Sequence, residues 1–154
     1  MTEAAQQANH PAFNIEKLYM KDLSLEIPHA PQIFLERETP QIDMQLNAQT
    51  EKIDDEVYEV VITATVTTKI GEKVMFLIEV KQAGIFRLSN LPEDDMEPVL
   101  AVLCPNILFP YLRETVSSVA VRAGFAPVLL NPVNFDALYQ QHKQEKAQAA
   151  ATTH

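Results

Sequence analysis

Three stretches of the chain alternate apolar and polar residues with a period of two, the mark of a strand with one buried face. Over residues 41–47 the even positions Ile42, Met44 and Leu46 are apolar, while Asp43 and Gln45 are polar. Over 57–68 the even face carries Tyr58, Val60, Ile62, Ala64 and Val66. The odd face carries Glu59 with Thr63, Thr65 and Thr67, β-branched residues suited to a solvated sheet face. Over 73–82 the even face holds Val74, Phe76, Ile78 and Val80, and the odd face holds Glu79 and Lys81. Residues 69–72, with Gly71, predict a tight hairpin, and the polar stretch 48–56 predicts a connection. The pattern is that of an antiparallel meander.

A fourth strand is predicted ahead of it, over 13–27. Its odd positions include Phe13, Ile15, Tyr19, Leu23, Leu25 and Ile27, and its even positions Asn14, Glu16, Asp22, Ser24 and Glu26. Lys17 and Lys21 interrupt the apolar face, so a bulge or break is expected. These parities turn Asp22, Glu26 and Glu79 outward, with Leu77 among them. Residues 28–40 hold Pro28, Pro31 and Pro40 and the trio Ile33, Phe34 and Leu35. Proline keeps such a segment out of regular structure, and a long crossover loop showing apolar side chains suggests binding.

From Pro92 the character becomes helical. Asp94 and Asp95 suit a first turn, which also tolerates Pro98, whereas Pro105 and Pro110 are expected to kink or interrupt the helix. Residues 99–112 are apolar nearly all round, so this helix needs cover on more than one side. One sheet supplies one side, and a second copy of the chain or another partner is needed for the other, so oligomerisation is expected. A short final helix falls within 131–144, with Asn134 as its cap. The pattern as a whole predicts an α+β fold. A four-stranded antiparallel sheet carries a long kinked helix and a short C-terminal helix on one face. One domain over 13–142 is expected between disordered ends at 1–12 and 143–154.

Charge narrows the chemistry. With 12 Lys plus Arg against 21 Asp plus Glu, the 154-residue chain carries a net charge of −9, which argues against nucleic acid and favours a basic partner. No apolar run approaches the ~20 residues of a membrane span, and the polar start shows no signal segment, so no direct membrane insertion is expected. The single cysteine, Cys104, excludes an internal disulfide and points to a cytoplasmic home. Gly71, Gly84 and Gly124 lie too far apart for a nucleotide loop, so no cofactor is expected. His10, His29, His142 and His154 lack ligand spacing, and no metal is expected. Cys104, Ser117 and Ser118 are the candidate nucleophiles and His29 the candidate base, but nothing in the sequence places them together, so catalysis is not expected. The run Asp54, Asp55 and Glu56 reads as a solvated turn.

Four segments resemble the SecB family of bacterial protein-export chaperones. They are Asp55-Glu56-Val57-Tyr58-Glu59-Val60-Val61, Gly84-Ile85-Phe86, Cys104-Pro105-Asn106-Ile107-Leu108-Phe109-Pro110-Tyr111 and Pro132-Val133-Asn134-Phe135-Asp136-Ala137-Leu138-Tyr139. The resemblance implies a homotetramer, a dimer of dimers with helices between two eight-stranded sheets, and Leu103 and Ile107 are the expected interface residues. It implies ATP-independent holding of unfolded precursor proteins and their delivery to the SecA motor. SecA would dock through its basic, zinc-bearing C-terminal tail at positions matching Asp22, Glu26, Leu77 and Glu79. The client groove would match Ile33, Phe34, Leu35, Leu129, Phe135, Leu138 and Tyr139. The alternative is a general holdase, or a SecB-like chaperone that controls toxins and has no coupling to export. A small-molecule hydrolase is a more distant reading.

Overall fold

A computed structural model describes residues 10–152. The strands are β1 (Ala12–Glu26), β2 (Gln41–Asp54), β3 (Val57–Ile70) and β4 (Lys73–Ser89), paired antiparallel in the order β1-β4-β3-β2. The chain thus returns after the meander to seat β4 beside β1. The β3–β4 turn uses Gly71 at φ 60, a left-handed conformation that costs glycine little. Strands β2 and β4 run further than alternation indicated. Polar residues 48–54 continue the ladder from Ala48 opposite Ile62 to Asp54 opposite Val57, because an edge strand is held by backbone pairing and tolerates polar side chains. Beyond Gln82, the small residues Ala83 and Gly84 break the alternation, yet pairing with β1 and β3 carries β4 on to Ser89.

The bulges expected in β1 lie between Ile15 and Lys17 and between Met20 and Asp22. The first corrects a sequence expectation: it turns Leu18 towards the core and Tyr19 to the outer face, opposite Ala83. The second restores the original parity, so Leu23 and Leu25 lie opposite the core residues Val80 and Ile78.

One continuous helix, α1 (Glu93–Arg122), crosses the inner sheet face. Pro98, Pro105 and Pro110 do not break it; Val99–Leu103 widens into a π-helical turn between the first two. Its stripe Cys104, Leu108, Leu112, Val116 and Ala120 recurs every fourth residue and is fully buried in one cluster with Val60, Ile62, Val66, Ile78, Val80 and Phe86. Each such large apolar side chain contributes on the order of 1.5–3 kcal/mol. At 30 residues α1 is long and apolar enough, by length and composition only, to cross a membrane. Its buried stripe makes it the core helix of this sheet. Its other side leaves Leu103, Tyr111 and Val121 exposed, while Ile107 packs partly against the chain's own core.

The last helix, α2 (Phe135–Thr152), is capped by Asn134, whose Oδ1 accepts from the Ala137 N–H at 3.0 Å. It continues to Thr152, so residues 143–152, expected to be disordered, are helical. Their Ala, Gln, Glu and Lys content is good helix-forming material even without packing. At the other end, residues 1–9 of the expected disordered segment lie outside the described residues, as do 153–154.

Gly84 sits at a close approach of sheet and helix. A Cβ there would lie 2.7 Å from the buried Phe86 ring and 3.1 Å from Leu108. Gly84→Ala should therefore cost about 1–3 kcal/mol through overpacking. Urea unfolding should show a lower midpoint at unchanged slope; a wild-type midpoint would contradict the close approach.

Candidate functional site

Two surfaces stand apart, one on each side of the sheet. On the outer face, residues align in rows across the strands. Glu26, Leu77, Thr67 and Asp43 form one row; Ser24, Glu79, Thr65 and Gln45 form the next; Asp22, Lys81, Thr63 and Asn47 form the third. Register therefore brings Asp22, Glu26, Leu77 and Glu79 together on one face, as alternation indicated. Thr65 Oγ1 donates to Glu79 Oε2 at 3.3 Å and fixes that carboxylate over the sheet. Lys81, opposite Asp22, puts a positive charge at one end of the acidic patch.

Further along the same face is a network that sequence reasoning missed. The Tyr19 O–H donates to Glu59 Oε2, and Lys21 Nζ donates to Glu59 Oε1 at 2.8 Å. Both β1 residues reach Glu59 because of the bulges: Lys21 is the extra residue of the second, and Tyr19 was turned outward by the first. Two lysines breaking an apolar face were the available signal. Burial pulls the Glu59 carboxyl up, but hydrogen bonds from Lys21 and Tyr19 and the Lys21 charge outweigh it, so its pKa is lowered. Burial, then the hydrogen bond and negative charge of Glu59, push the Tyr19 phenol up to about 12.

On the inner side, a cleft of about 310 Å³ opens between β2, the π turn of α1 and the start of α2. Leu46, Ala48, Leu100, Leu138 and Tyr139 supply much of its lining, with Thr50 and His142 among its polar residues. Of the expected groove residues, Phe135, Leu138 and Tyr139 meet here, although Phe135 is buried and mainly anchors α2 against Phe109, with ring centroids 5.9 Å apart. The crossover trio is divided by the short 3-10 turn Gln32–Leu35. Ile33 is 2% exposed and belongs to the buried interior, which corrects its assignment to an open groove. Phe34 stacks on Phe125 with centroids 5.1 Å apart and keeps one side open, and Leu35 is 80% exposed. Leu129 is equally exposed but lines a different hollow, beside Pro110, Arg113 and Val121 on the outward side of α1. Periodicity cannot see these divisions, because a trio of apolar residues in a loop carries no phase.

The sulfur and hydroxyl candidates are separated. Cys104 lies in the core, where burial pushes its thiol up to about 12 and keeps it protonated. Ser117 and Ser118 line the hollow with Leu129, and His29 lines another beside Glu36 and Lys73. Among the described residues, no group of three or more His, Cys, Asp or Glu is placed to share a metal ion.

The family model described as preprotein translocase subunit SecB matches residues 6–146. The protein-export protein SecB of Methylobacillus flagellatus is 60% identical over 153 residues, covering 99% of this chain and 98% of its own. That of Nitrosomonas eutropha is 63% identical over 149 residues, covering 96% of this chain and 91% of its own. Among solved structures, the Mycobacterium tuberculosis SecB-like chaperone Rv1957, in complex with a ChAD peptide from the HigA1 antitoxin, shares the fold. The TM-score is 0.66 at 16% identity, over 79% of this chain and 90% of that one.

The raised Tyr19 pKa is directly measurable. Absorbance titration should show a tyrosine step near pH 12, and Tyr19→Phe should remove it. Since the folded value lies above the ordinary 10.0, the network's contribution is complete below pH 10 and is lost as pH rises towards 12. Absence of any step near pH 12 that Tyr19→Phe removes would contradict the Tyr19–Glu59 bond.

Proposed function

The chain belongs to the SecB family and is a protein-export chaperone, and from that premise we propose that its two surfaces serve two partners. The inner cleft, with Leu138 and Tyr139 at its centre and the exposed crossover residues Phe34 and Leu35 as a further apolar contact, holds unfolded precursors without nucleotide. Held there, they stay fit for translocation. An unfolded chain offers apolar side chains in any order, so an open apolar cleft suits it better than a shaped pocket. The outer patch of Asp22, Glu26, Leu77 and Glu79 receives the basic, zinc-bearing C-terminal tail of SecA. Carboxylates supply long-range attraction and Leu77 supplies an apolar contact. The observation that carries this reading is the cross-strand register, which puts the acidic patch on the opposite side of the sheet from the cleft.

We further read the working form as a tetramer in the cytoplasm, a dimer of dimers. The exposed α1 residues Leu103, Tyr111 and Val121 support a helix-mediated contact, with Ile107 at its margin. Ile15, Met20, Leu23 and Leu25 on edge strand β1 support a second one. The protein acts by binding and release, without catalysis of its own. The competing reading, control of a toxin, draws on a neighbour that is 16% identical and informs the fold alone, whereas relatives at 60–63% identity are export proteins.

One experiment separates the two surfaces. Nucleotide-free suppression of precursor aggregation is followed by SecA binding at low and high salt. The wild type should do both, with SecA binding weakened steeply by salt. Leu138→Ala with Tyr139→Ala should weaken precursor holding about tenfold. Glu79→Lys should keep holding intact and lower SecA affinity about fivefold, as befits an exposed charge worth about 1 kcal/mol. Unchanged holding in the double variant would remove the cleft from the account, and unchanged low-salt SecA affinity in Glu79→Lys would remove the patch.

A further inference from the structure

The π turn that walls the cleft alters the hydrogen bonding of its own backbone. The Cys104 N–H bonds the Val99 carbonyl, five residues back. At that spacing the next carbonyl, Leu100, would be served by residue 105, and Pro105 has no N–H to give. Leu100 is thereby left with an acceptor that neither Cys104 nor Pro105 satisfies. Both Leu100 and Ala101 line the cleft. The facing wall, Leu46 to Thr50, belongs to β2, an edge strand whose outer backbone groups have no neighbouring strand among the described residues. Two walls with spare backbone hydrogen-bonding capacity thus flank an apolar floor.

We propose that the Leu100 carbonyl is a backbone-reading element of the cleft, accepting a hydrogen bond from a main-chain N–H of an extended client segment. The inference rests on the reading of this cleft as the client site and specifies what it recognises there. Every client residue other than proline carries an N–H, so this contact adds affinity independent of sequence, as a general chaperone requires. It selects extended over helical segments, because a helix has already used its N–H groups internally. Pro105 acts as the positioning residue: by withholding a donor it keeps the Leu100 oxygen free for the client.

Leu100 and Ala101 form the one Leu–Ala pair in the sequence, so a sample with 13C-carbonyl leucine and 15N-alanine gives a single inter-residue NMR signal from this carbonyl. An unstructured peptide of alternating apolar and polar residues, fluorescently labelled, is added, and then the same peptide with backbone esters replacing alternate amides. The ester removes the N–H without adding bulk. With the wild type, the amide peptide should move the Leu100 carbonyl signal downfield and bind about fivefold more tightly than the ester, the scale of one net hydrogen bond. Pro105→Ala supplies the missing donor, so its amide-to-ester ratio should fall towards one, while Pro110→Ala, outside the cleft, should keep the wild-type ratio. An unmoved carbonyl signal with bound peptide overturns the inference and leaves the client site standing, as does a wild-type ratio of one. A Pro105→Ala ratio equal to that of the wild type also overturns it. If Pro105→Ala does not fold, the wild-type carbonyl shift decides. Failure of both peptides to bind the wild type removes the client-site reading and this inference together.

Discussion

The whole arrangement depends on one contact, the buried stripe of α1 lying on the inner faces of β3 and β4. Cys104, Leu108, Leu112 and Val116 meet Val60, Ile78, Val80 and Phe86 with essentially no exposed surface. Gly84 permits the approach by having no side chain under the Phe86 ring. The contact covers one side of the helix and the middle of the sheet, and nothing more. The described residues form no further layer with which to cover the rest. The outward side of α1 and the inner side of β1 therefore keep apolar residues such as Leu103, Val121, Leu23 and Leu25 at the surface. These are the surfaces through which the protein assembles in our reading.

The same contact separates the two surfaces to which we assign the chaperone's two tasks. With α1 and α2 confined to the inner side, the apolar cleft can form only there, between β2 and the two helices. The outer side keeps its threonines and carboxylates for solvent and for a charged partner. An antiparallel sheet allows this because neighbouring residues on each strand point to opposite faces. Leu77 and Ile78 show it within one dipeptide: Leu77 sits among the acidic side chains, and Ile78 is fully buried in the core. In our proposal, precursor and motor therefore engage one subunit without competing for the same side chains.

Much of the fold was legible in the sequence where periodicity holds. Alternation in β3 and β4 gave the correct faces, and so placed Glu79 and Leu77 outward with Asp22 and Glu26. Legibility failed where backbone geometry departs from the regular pattern. The bulges in β1 reversed Tyr19 and hid the Tyr19–Glu59–Lys21 network. Edge pairing carried β2 through a polar stretch. The prolines of α1, expected to kink or interrupt it, were absorbed in a continuous helix with a π turn between Pro98 and Pro105. In the crossover loop a single turn buries Ile33 and exposes Leu35, a distinction no pattern of apolar residues could make. Family resemblance pointed to the surroundings of α2 but could not say which of the groove candidates hold the fold together; Phe135 and Ile33 do.

Opposite sides of one sheet serve different partners in this account, and methyl NMR tests that division most directly. With leucine methyl groups labelled, an unfolded precursor segment should shift Leu46, Leu100 and Leu138 and leave Leu77 in place. Movement of Leu77 by the precursor, with Leu46, Leu100 and Leu138 unmoved, would contradict the account.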